Sequence, residues 1–133
     1  MKRMDHLNKS VTKLFVAALV TGLFSIAASA ADLGYVGEDE TEISLTRNYS
    51  KQPTFPRKAL RMGTEGYVIV EFDVDTDGAV LDPYVVESTP QGVFERASIK
   101  AIRSWVYQPP NHNGQSVKAN NVQVKLTFAF QAQ

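Results

Sequence analysis

Three carboxylates and a glycine stand close together in EFDVDTDGAV, residues 71–80: Asp73, Asp75, Asp77 and Gly78. Carboxylates at alternate positions followed by glycine are how the calcium loop of a helix–loop–helix begins, because a hard cation takes oxygen ligands. That loop also needs a bidentate glutamate at its twelfth position. Counted from Asp73, that position holds Tyr84. The flanks argue the same way. Val68, Val70, Phe72 and Val74 alternate with Tyr67, Ile69, Glu71 and Asp73, which is the period of a strand with one apolar face. Asp-Gly between two alternating runs is a strong hairpin signal. The stretch therefore reads as a tight turn at 75–78, with Asp77 and Gly78 supplying positive φ, and not as a metal site.

Little else in the chain suggests reaction chemistry. There are no cysteines, which removes disulfides, thiol redox chemistry and thiolate zinc sites. Of the two histidines, only His112 lies beyond residue 30, in a polar loop. No nucleophile elbow and no glycine-rich phosphate loop is present. The expectation is a binding protein: no enzyme, no metal and no cofactor.

The elements that must position any binding surface follow from the pattern. Residues 1–30 have a basic start (Lys2, Arg3, Lys9, Lys13), an apolar run from Leu14 to Ile26, and Ala28-Ser29-Ala30 as a small-x-small end. This is the layout of a secretory leader, with an uncleaved anchor as the alternative. Residues 31–133 carry ten Lys/Arg and thirteen Asp/Glu, net −3, so nucleic acid is not expected as a partner. Residues 31–51 are weakly patterned, with Glu38-Asp39-Glu40 as an acidic cluster, and read as a flexible lead-in with a short strand at 43–45. Residues 52–133 read as one domain.

Within it, Pro56 suits the first turn of a helix over 56–62 that Gly63 ends. Two strands follow around the 75–78 turn. The second spans about 79–87 and contains Pro83, which cannot donate to a ladder and marks an edge or a bulge. A helix over about 93–105 shows Phe94, Ala97, Ala101, Ile102 and Trp105 as one apolar stripe, which makes Trp105 core. Residues 120–130 form the clearest strand, with Val122, Val124, Leu126, Phe128 and Phe130 on one face. The expected fold is α+β in two layers, in the order α-β-β-α-β: a three-stranded antiparallel sheet with both helices on its apolar face. A right-handed crossover puts the last strand beside the first. The first strand is then central and the other two are edges.

Three runs carry a family resemblance: QPTFPRKALRMGTEGYVIVEFDVDTDGAV, VFERASIKAIRSWVYQPP and VQVKLTFAF. Together they resemble the C-terminal domain of TonB proteins. The matching marks are Phe55-Pro56, Gly63 and Gly66, the 75–78 turn with Gly78, Phe94, and Trp105, Tyr107 and Pro109 at the end of the long helix. The resemblance implies a periplasmic domain that grips the TonB box peptide of an outer-membrane TonB-dependent receptor, in uptake of siderophores and vitamin-type ligands. It also implies coupling to the ExbB–ExbD motor through a membrane anchor. Two features depart from that plan: no histidine lies in the apolar run 14–26, and residues 31–52 contain no proline, where the family has a proline-rich linker.

An edge strand presents unpaired backbone groups to another chain. Pro83 blunts one expected edge; the last strand has no proline or glycine. The expected docking residues are therefore Asn121, Val122, Gln123, Val124, Lys125, Leu126, Thr127 and Phe128, joined by a receptor peptide as an added strand. Gln52 and Pro53 match a family element that contacts the same peptide. The alternative is a structural domain whose edge pairs with a second copy in a homodimer.

Overall fold

The computed structural model describes residues 31–130; the leader and its cleavage lie outside the described residues. Among those described, no helix is long and apolar enough to cross a membrane. The order along the chain is β1 (Asp32–Val36), β2 (Thr41–Leu45), β3 (Arg47–Tyr49), α1 (Arg57–Met62), β4 (Gly66–Val74), β5 (Val80–Thr89), α2 (Glu95–Arg103), β6 (Val106–Tyr107), β7 (Asn111–His112), β8 (Gln115–Ser116) and β9 (Ala119–Phe128).

The α+β architecture is an antiparallel sheet with helices, as the pattern of the sequence requires. β4 is central between β5 and β9, and all its pairings are antiparallel. Alternation decides which side is covered: Val68, Val70, Phe72 and Val74 from β4 and Val122, Val124, Leu126 and Phe128 from β9 are all buried. Phe94, Ile102, Trp105 and Tyr107 join them from the helical side. The opposite face is polar. Tyr67 donates to Glu87, Tyr84 donates to Glu71, and Gln123 Nε2 donates to Glu71 Oε2 at 2.6 Å.

The turn between β4 and β5 is tight. Gly78 N–H donates to Asp75 O at 2.9 Å and Asp75 N–H to Ala79 O at 2.8 Å. Gly78 alone takes positive φ, 91°; Asp77, expected to share that role, instead accepts the Ala79 N–H on Oδ1 at 3.1 Å. A Cβ on Gly78 would stand 1.9 Å from Tyr107 O, so only glycine fits there. At Pro83, β5 shifts register against β4 and Asp82 takes φ 48°, the irregularity a proline inside a strand brings; a second shift falls at Val86.

Two expectations are corrected. The sheet has five strands, not three, in the order β2-β1-β9-β4-β5. Residues 31–51 are not a flexible lead-in: β1 and β2 form a hairpin in register from Asp32↔Leu45 to Val36↔Thr41, and the acidic cluster 38–40 is its turn. The expected short strand at 43–45 is the second half of β2. The hairpin belongs to the core because Val36 and Leu45 are each only 3% exposed. It is also tied down by charge. Arg47 donates to both oxygens of Asp32 at 2.5 and 2.7 Å, and Tyr107 Oη donates to Asp32 Oδ2 at 2.6 Å. The carboxylate holds the Arg47 proton more firmly, and burial with that hydrogen bond pushes the Tyr107 phenol far above its usual range.

Candidate functional site

The two flanks of β9 differ. On one, β4 pairs it along nearly its whole length, from Gly66↔Phe128 to Val74↔Ala119. On the other, β1 pairs it at Tyr35↔Asn120, antiparallel. Because β1 runs back from Tyr35 to Asp32, it lies beside β9 only as far as about residue 123, at one residue per rise. Past that point no strand pairs this flank among the described residues. Residues 124–128 therefore keep an open row of backbone donors and acceptors about 17 Å long.

This corrects one expectation: β9 is not a full edge strand, since the hairpin has taken the first part of it. Of the expected docking residues, Asn121, Val122 and Gln123 stand beside the hairpin, whereas Val124, Lys125, Leu126, Thr127 and Phe128 line the open stretch. Asn121 is bulged, with φ 54°, and its N–H donates to Asp73 Oδ1 at 3.1 Å. Along the open stretch Val124, Leu126 and Phe128 point into the core, while Lys125 and Thr127 face solvent. The Lys125 ammonium sits 4.4 Å from the centre of the Tyr67 ring, a cation–π contact that holds its stem flat on the sheet.

The segment ahead of α1 closes the helical side. Trp105 Nε1 donates to Lys51 O at 2.8 Å, and the Arg47 guanidinium lies 4.3 Å from the Trp105 ring centre. Phe55 reaches the end of β9. Its ring centre is 5.6 Å from Phe94, 5.7 Å from Phe128 and 5.1 Å from Phe130, while Phe94 and Phe128 stack at 4.3 Å. Pro56 begins α1 and Gly63 ends it; Gly66 opens β4. Pro109 is exposed beyond β6, and Tyr107 within β6 is buried. Pro53 is partly buried, and Gln52 lines a groove between this segment and α2.

Reading the sequence misses that groove. It encloses about 630 Å³ and is lined by Lys51, Gln52, Thr54, Pro56 and residues of α2. The signal for it is weak: small Ala97 and Ala101 one turn apart on α2, facing a segment that carries no strand or helix pattern.

The carboxylates of the Asp-rich stretch are turned to separate tasks. Asp73 Oδ2 pairs with Lys118 Nζ at 3.1 Å, Asp75 Oδ1 accepts the Thr76 N–H at 2.8 Å, and Asp77 caps the turn. Among the described residues, no group of three or more His, Asp or Glu is placed to hold a metal.

Residues 51–131 match the family described as the Gram-negative bacterial TonB protein C-terminal. Protein TonB of Escherichia coli (strain K12) is 39% identical over 66 residues, 50% of this chain and 26% of that protein. Protein TonB of Xanthomonas campestris pv. campestris (strain B100) is 32% identical over 88 residues, 66% of this chain and 39% of that protein. The chain thus spans well under half the length of either relative. Among solved structures, the solution NMR structure of Pseudomonas aeruginosa TonB CTD superposes with a TM-score of 0.59 at 26% identity, covering 76% of this chain and 97% of that one. TonB2 of Vibrio anguillarum gives 0.53 at 30% identity, covering 79% and 96%.

Proposed function

Because the chain belongs to the TonB C-terminal family, we propose that it is a periplasmic peptide-gripping domain for the TonB box of an outer-membrane TonB-dependent receptor. The activity is binding, with no bond made or broken. The observation that supports this reading is the open flank of β9 at residues 124–128. A receptor segment lying there extended becomes the next strand: backbone hydrogen bonds hold it, and its alternate side chains meet the Lys125 and Thr127 side of the sheet. A patch of this length is small, so the contact is weak and transient. Coupling to the ExbB–ExbD motor, and uptake of siderophore or vitamin-type ligands, belong to the same reading. So does export of the chain across the inner membrane by its leader.

The same flank is self-complementary to a second copy of this chain, which is the competing reading. NMR titration with TonB-box peptides separates the two. Amides of residues 124–128 should shift on adding peptide, at a position independent of protein concentration. In an antiparallel strand successive amides point to opposite flanks. Of Lys125→Pro and Leu126→Pro, one therefore removes an outward amide and should abolish the shifts while the fold persists. The other breaks the ladder to β4. Concentration-dependent shifts without peptide would favour the dimer, and shifts confined to the 75–78 turn would defeat the edge reading.

A further inference from the structure

Charge in this protein is segregated by layer. Of the ten Lys/Arg beyond residue 30, six lie on α1 and α2 and a seventh, Lys51, precedes α1; Glu95 is the one carboxylate on the two helices. Of the other twelve carboxylates, eleven lie on the strands and turns of the sheet side and Glu65 in the connection from α1 to β4. The two ion pairs among the described residues, Arg47–Asp32 and Lys118–Asp73, use none of the helical cations. A domain of net −3 thus presents one strongly positive face.

The groove between α2 and the 51–56 segment opens in that face. Its floor is apolar and small-featured, with Pro56, Ala97 and Ala101, and its rim carries Lys51, Arg96 and Lys100. All three cations are exposed. No carboxylate is among its lining residues.

We propose that this groove is a docking site for an acidic peptide segment of a partner protein, with carboxylates at the rim cations and a small apolar side chain on the floor. Three features choose this occupant. The rim is cationic on both walls, so it complements alternating carboxylates on an extended chain. The site is a concave cleft with an apolar floor, which a peptide side chain can enter and a flat headgroup surface cannot. The eleven carboxylates of the sheet side repel a polyanion as long as a nucleic acid but leave a short acidic segment free to reach the helical face. The groove is built by α2 and the 51–56 segment and the open edge by β9; they share only Gln52, which lines the groove and is also among the expected box-contacting residues, so the proposal is separable from strand addition at Arg96 and Lys100.

The test titrates the full isotope-labelled chain with an eight-residue peptide of alternating glutamate and alanine, using the glutamine–alanine peptide as control. The glutamate peptide should shift amides of Gln52, Thr54, Val93 and Ala97, and the control should not. Reversing two rim charges together, Arg96→Glu with Lys100→Glu, should weaken binding by about tenfold, the scale expected for a few rim charges. Both side chains are exposed, and an unchanged melting temperature of the double variant shows that the fold is kept. Raising salt should weaken binding. Whichever of Lys125→Pro and Leu126→Pro abolishes box binding without unfolding should leave glutamate-peptide binding intact, so failure at the edge and failure at the groove read out separately. Equal binding of the control, shifts outside the groove, or no shift would overturn the proposal. Groove shifts that grow with protein concentration alone would also overturn it, by showing that a second copy fills the groove.

Discussion

The hairpin can be lifted from β9 by one substitution. Gly34 lies buried in β1, where an added Cβ would stand 3.1 Å from Ala119 Cβ, Leu45 Cδ1 and Val122 Cγ2 at once. Ordinary carbon contacts are roughly 3.5–4.0 Å, so even alanine must push three neighbours apart, and Ala119 Cβ cannot rotate away. Gly34→Val adds two more methyls in the same space. Overpacking of this kind costs about 1–3 kcal/mol, well below the roughly 5–15 kcal/mol of a typical domain. The domain should stay folded with the hairpin loosened. Each kcal/mol lowers the melting temperature of a domain this size by about 4–8 °C. Hydrogen exchange by NMR should show the amides of residues 33–36 and those of 120–123 that face β1 opening first, while the amides between β4 and β9, with Asn121 N–H on Asp73, stay protected. If the variant melts with the wild type and the 33–36 amides exchange no faster, the close approach of β1 to β9 is not as described.

Three further outcomes follow from the geometry. Trp105→Ala removes a side chain only 2% exposed together with its hydrogen bond to Lys51 O, and should cost about 3–5 kcal/mol by denaturant titration. The Glu95 carboxyl accepts from Ser88 Oγ at 2.5 Å and Gly92 N–H at 2.6 Å, which lowers its pKa below the usual 4.5; this stabilisation is present above pH 4.5 and is lost as pH falls through the depressed value, so the melting difference between wild type and Glu95→Gln should shrink to nothing in acid and stay constant from pH 5 to 8. Millimolar calcium should leave the melting temperature unchanged, because the Asp-rich turn spends its oxygens on backbone and Lys118; a rise with calcium would revive the metal reading.

The parts of the fold legible in the sequence are those that bury a whole face. Val68 to Val74 and Val122 to Phe128 alternate without a break because each strand sits with one side fully in the core, and the α2 stripe through Ile102 is visible for the same reason, although the helix ends at Arg103 and buried Trp105 lies past it, not on the stripe as expected. The β1–β2 hairpin is silent. Its two strands are five residues each, and one of the core-facing positions is Gly34, which packs by lacking a side chain and so adds nothing to a hydrophobic pattern. Its turn is the acidic run 38–40, whose composition resembles a mobile segment. The open edge is therefore only half legible: the strand can be read from its own residues, but what covers it depends on residues 32–36, more than eighty positions earlier. The groove is less legible still, since its walls meet only in three dimensions.

If a receptor strand adds as proposed, the hairpin would also act as a ruler. β1 and any strand added at residues 124–128 would share one flank of β9, end to end, so Asp32 stands where an over-long guest would have to continue. On the proposed strand addition, a guest would be confined to about five residues, and the end of β1 would limit its register. The chain leaves β1 through Ala31 at that same point. A pull on Ala31 directed along β1 would load its pairings in shear, with the five pairs to β2 and the Tyr35–Asn120 pair to β9 sharing the force instead of parting one at a time.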